Sequence, residues 1–101
     1  MDLKYIETPD RVIKEFCQRW KIVELSLFGS VLGDEFRADS DIDVMVTFAP
    51  GSQISLLELG QIRAELTELF GRPVDLVEKA GLRNPYRRKS ILESAQVIYA
   101  S

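Results

Sequence analysis

GSVLGDEFRADSDID, residues 29–43, is the stretch on which the reading of this chain turns. A Gly-Ser pair closes one apolar run, and three aspartates, Asp39, Asp41 and Asp43, crowd the entrance to the next. Like charges this close repel, and the arrangement is tolerable only where something positive neutralises them. The flanks give it a frame. Ile22 to Phe28 carries the β-branched and large apolar residues of a strand and stops at Gly29-Ser30. Ile42 to Phe48 predicts a second strand, closed by the turn residues Pro50-Gly51-Ser52.

In an extended chain, side chains at i and i+2 project from one face, so Asp41 and Asp43 point one way while Ile42 and Val44 point the other. Asp75 lies between apolar residues in a third predicted strand, Val74 to Glu78. If that strand pairs beside the second, a third carboxylate joins the same patch. Converging acids need a counter-charge, and hard oxygen ligands of this kind favour Mg²⁺ or Mn²⁺. Gly29 allows close backbone approach, and the N–H groups and Ser30 hydroxyl at the turn suit a phosphate. A phosphate cradle facing a carboxylate pincer describes phosphoryl or nucleotidyl transfer, with two ions about 4 Å apart flanking the attacking and leaving oxygens.

Other readings of the cluster are weaker. A turn capped by side-chain hydrogen bonds accounts for Asp39 and Ser40. It leaves Asp43 and Asp75 unexplained, because an acid inside an apolar strand is costly without a partner. A calcium loop over Asp39, Asp41 and Asp43 would need glycine where Val44 stands and Glu where Pro50 stands.

Outside this centre the chain alternates helices and strands. Thr8-Pro9-Asp10 predicts a helix start with a hydroxyl cap, and Val12, Ile13, Phe16, Cys17 and Trp20 recur at helical spacing as core residues. A long helix is expected from Ser52 or Gln53, in which Leu56, Leu59, Ile62, Leu66 and Leu69 follow 3-3-4-3 spacing, with Gly71 as its left-handed cap. Asn84-Pro85 opens a last helix with Ile91, Leu92 and Ala95 inward, and Val97 to Ala100 reads as a short strand or docked tail. The run Arg87-Arg88-Lys89 is read as a solvated face in preference to a contact with ATP or a partner, since that is the usual place of a charge run on a helix. The order defines a mixed α/β (α+β) layer fold in one domain spanning residues 1–101.

Composition narrows the chemistry. With 101 residues, 46% of them hydrophobic, one core is the expectation. A net charge of −3 argues against a generic nucleic-acid coat. The chain has no histidine and one cysteine, Cys17, which removes Ser-His and Cys-His nucleophile pairs, zinc sites and internal disulfides. No apolar run reaches membrane-spanning length, and a reducing cytoplasm is the expected location.

The pattern FGS, ten residues, then DIDV, with the inner DSDID, resembles the signature of the minimal nucleotidyltransferases of the DNA polymerase β superfamily. PGSQISLLEL, GRPVDLV and LRNPYRRKSILESAQVIYA are similar to the small nucleotidyltransferase-type antitoxins paired with HEPN-domain toxins. The resemblance implies a mixed sheet in a palm-like arrangement, Gly29 and Ser30 on the triphosphate of ATP, and Asp41 and Asp43 on two Mg²⁺ ions. It also implies that Asp75 holds the metal nearest the attacking oxygen and takes up the proton of that hydroxyl. The implied reaction is transfer of AMP from ATP to a tyrosine of the HEPN ribonuclease, which silences it; oligomers are compatible with it. Many relatives place an Arg where this chain has Gly33, and Arg37 is read as neutralising Asp39.

Two alternatives stand beside that reading. One is a non-enzymatic module that blocks its toxin by contact. The other is a transferase acting on a small molecule, for which a chain of this length offers no second domain to enclose the substrate.

Overall fold

A computed structural model describes residues 8–29 and 41–101. Its elements are α1 (Asp10–Arg19), β1 (Ile22–Phe28), β2 (Ile42–Phe48), α2 (Leu56–Phe70), β3 (Val74–Glu78), a 3₁₀ turn (Lys79–Gly81), α3 (Pro85–Ser94) and β4 (Gln96–Ala100). The strands form one sheet in the order β3-β2-β1-β4. β1 runs antiparallel to both β2 and β4, while β2 and β3 are parallel. A parallel pair needs a crossover, and α2 supplies it. The expected mixed α/β architecture is the observed one, and the tail is a strand rather than a loose appendage.

The alternation in β2 sorts the sheet into two unlike faces. Ile42, Val44 and Val46 turn to one side and join Leu25, Leu27 and Val74 against Ile13, Phe16 and Cys17 of α1 and Ile62, Leu66 and Phe70 of α2. Burying each of these larger side chains contributes about 1.5–3 kcal/mol, so this layer carries most of the stability. On the other face, Phe28 and Met45 pack with Leu82 and with Ile91 of α3 in a smaller cluster. Asp43, between Ile42 and Val44, opens onto this second, thinly covered face.

Three helix expectations need correction. Thr8 does not cap α1: Pro9 is the N-cap, and the Thr8 hydroxyl donates instead to the Leu69 carbonyl at 2.8 Å, tying α1 to the end of α2. α2 begins at Leu56 rather than at Ser52 or Gln53, because Ser55 makes a reciprocal capping box with Glu58. Leu56 is consequently a first-turn residue, 87% exposed, and not inward; Leu57 is 75% exposed. In α3, Ile91 is buried and Ala95 packs, but Leu92 lies outward at 38% exposure.

The remaining punctuation acts as read. Gly71 ends α2 at φ +70°, its N–H donating to the Thr67 carbonyl. Asn84 caps α3, its side chain accepting from the N–H groups of Tyr86 and Arg87, with Pro85 at the first helical position. Among the described residues no helix is long and apolar enough to cross a membrane.

Candidate active site

Asp43 and Asp75 are direct partners in the parallel β2–β3 register. Neighbours across a ladder share a face, so the carboxylates from two strands stand side by side above the second face of the sheet. Phe28 is the β1 partner of Asp43 on the other flank. Asp41 precedes β2 by one residue and shares the side of Asp43 by its i−2 spacing. The structure sets Asp43 and Asp75 on one face by register, and the charge of Asp41 reaches Asp43 from the residue before the strand.

Gly29 completes this corner. It follows Phe28 at φ +78°, a left-handed conformation that L-residues disfavour, and a β-carbon built on it would lie 2.2 Å from Oδ2 of Asp43. Glycine is thus required twice over, for the turn and for the carboxylate pressed against it. Ser30, the other half of the phosphate cradle, lies outside the described residues, as do Gly33, Arg37 and Asp39.

The electrostatics follow from crowding. Asp43 is half-buried while Asp41 and Asp75 are exposed. Burial, then the charge of Asp75, then that of Asp41, raise the Asp43 carboxyl above its ordinary range, and Arg87 opposes them. A half-buried carboxylate held among like charges is a site that favours an added cation.

The donor set suits a hard divalent ion such as Mg²⁺, and the absence of a side chain at Gly29 is what lets the Asp43 carboxylate lie against the turn. Among the described residues, however, no three acidic or cysteine side chains are gathered closely enough to hold an ion as they stand. The acids share a face and a register without closing a cage.

The basic run on α3 is not one solvated face. Lys89 conforms to that expectation, pairing with Glu93 one turn along at 3.9 Å. Arg88 turns inward, its Nη1 donating to the carbonyls of Lys79 and Leu82 at 3.2 and 3.4 Å, which holds the 3₁₀ turn under the helix. Arg87 reaches Asp43 electrostatically. Sequence placed the first turn of α3 through Asn84-Pro85, but three consecutive cations on a helix diverge by about 100° each, and only packing assigns them.

The corner is a carboxylate pair in register with a glycine turn folded against it. The model of the nucleotidyltransferase domain family matches residues 9–98, and the chain belongs to that family. It is 36% identical over 83 residues to a protein of Methanocaldococcus jannaschii named as a protein adenylyltransferase, covering 82% of this chain and 80% of that one. It is 33% identical over 84 residues to protein adenylyltransferase MntA of Thermococcus cleftensis, covering 83% of each. Among solved structures, a minimal nucleotidyltransferase superposes with a TM-score of 0.74 at 34% identity over 95% of both chains. A complex of the tri-AMPylated HEPN toxin of Shewanella oneidensis with MNT antitoxin shares the fold, with a TM-score of 0.65 at 16% identity over 91% of this chain and 70% of that one.

Proposed function

We propose that this nucleotidyltransferase moves AMP from ATP onto a tyrosine hydroxyl of a HEPN-domain toxin, with pyrophosphate as the leaving group, and thereby neutralises it. The observation that carries the reading is the Asp43–Asp75 register pair with Gly29 folded against it. The adenylyltransferase names of the relatives support the reaction class. The HEPN complex with the shared fold supports the partner.

In this reading Asp41, Asp43 and Asp75 hold Mg²⁺, and Gly29 with Ser30 receives the triphosphate. Bound there, divalent ions supply charge neutralisation at the phosphates and stabilise the attacking and leaving oxygens. In the same reading Asp75, exposed on the edge strand β3, accepts the proton of the attacking hydroxyl. Gly29 lets the Asp43 carboxylate lie against the turn that would receive the phosphates.

The test is mass spectrometry of the cognate partner after incubation with this chain, ATP and Mg²⁺. The expected product is a tyrosine-containing peptide heavier by AMP, absent with Asp43→Asn; an unmodified partner overturns the reading. One competing reading is neutralisation by contact alone. An Asp41→Asn, Asp43→Asn double variant that still silences the toxin would establish it.

A further inference from the structure

We propose that Arg87 binds the phosphate chain of the nucleotide. The inference rests on the transferase reading and adds to it a binding residue on α3, outside the Gly-Ser and aspartate motifs. α3 packs over the same sheet face that bears Asp43 and Asp75, since Ile91 joins Phe28 and Met45, the register partner of Asp43 and the residue two beyond it. Arg87 stands in the first turn of that helix, exposed.

Its two cationic neighbours are committed elsewhere, Arg88 to the carbonyls of Lys79 and Leu82 and Lys89 to Glu93. Beyond its backbone N–H, which donates to the Asn84 side chain, Arg87 makes no hydrogen bond or ion pair through its side chain with any described residue, and its charge acts on Asp43. A guanidinium without a side-chain partner among the described residues thus stands on the helix packed over this face, within electrostatic reach of Asp43.

Charge balance gives it a task. Three carboxylates and a triphosphate carry more negative charge than two divalent ions offset, so a further cation is needed once the nucleotide is bound. Guanidinium suits that position, because its planar donors match phosphate oxygens two at a time and it is less strongly hydrated than an ammonium. A residue that only screened Asp43 would have no dependence on phosphate.

The experiment is calorimetric titration of the full chain with Mg²⁺-ATP and, separately, with Mg²⁺-tripolyphosphate, for wild type, Arg87→Gln, Arg87→Lys and Lys89→Gln. Arg87→Gln is expected to weaken both ligands by about tenfold or more, the scale of a lost charge-assisted hydrogen bond. Arg87→Lys should restore part of the loss, and Lys89→Gln, which removes the same charge two residues away, should change neither. Thermal melting of each variant without ligand should match wild type, since the side chain is exposed. Wild-type affinity in Arg87→Gln overturns this inference and leaves the transferase reading standing. A wild-type chain that binds neither ligand overturns both, and an equal loss in Lys89→Gln overturns the specific role of Arg87 alone.

Discussion

Gly29 and Asp43 are in such close approach that a single methyl group on the glycine would lie 2.2 Å from the carboxylate Oδ2, well inside contact distance. The turn that ends β1 and the acid inside β2 are therefore one structural unit. Neither can vary without the other moving.

Gly29→Ala follows directly. The substitution adds left-handed backbone strain of about 1–2 kcal/mol and displaces the Asp43 carboxylate, so transfer activity should fall by about a hundredfold or more while the chain still folds. Urea denaturation and a nucleotide-transfer assay on the same preparation check both parts. Full activity with reduced stability would mean that the Asp43 position is not needed.

Asp43 makes the fold pH-dependent in a defined direction. Its folded-state pKa lies above the ordinary aspartate value of 3.8, so the folded chain binds the proton more tightly than the unfolded one. The stabilisation from that tighter proton is present at acid pH and is lost as pH rises through the raised folded value. Asp43→Asn should remove this loss, so its stability relative to wild type grows with pH from the acid side and levels off near neutrality. Denaturant unfolding across that range, without divalent ions, checks the sign. In the same variant, added Mg²⁺ should raise the melting temperature less than it does in wild type.

Cys17 is fully buried, and burial pushes its thiol up to about 12. The thiolate is the reactive species, so native protein should resist thiol-specific labelling at neutral pH and react stoichiometrically once denatured. Rapid native labelling would show that the α1 layer opens readily.

Two substitutions in α2 contrast the real helix face with the one that leucine spacing suggests. Leu56→Ser, at a position 87% exposed, should change stability by less than about 0.5 kcal/mol. Leu66→Ala, at 1% exposure, should cost about 2–5 kcal/mol. Urea midpoints for both variants compare them.

Much of this molecule is legible before folding because the signals are local. Strand limits at Ile22–Phe28 and Ile42–Phe48, the Gly71 and Asn84-Pro85 caps and the shared side of Asp41 and Asp43 rest on periodicity and turn chemistry within a few residues. Where sequence misplaced something, a competitor was invisible locally. Ser55 and Glu58 form a capping box that overrides an earlier helix start, and Thr8 finds the Leu69 carbonyl 61 residues away.

The sequence by itself determined the chemistry: which acids alternate out of an apolar strand, that no histidine competes with them, and where a glycine must turn. Tertiary structure alone decided their company. Pairing β3 beside β2 puts Asp75 level with Asp43, and packing α3 across that face sends Arg87 toward the acids, Arg88 onto backbone carbonyls and Lys89 to Glu93. The physical reason is range: alternation and capping act over one or two turns of chain, whereas strand order and helix docking are set by burying two apolar faces at once, a property no short segment carries.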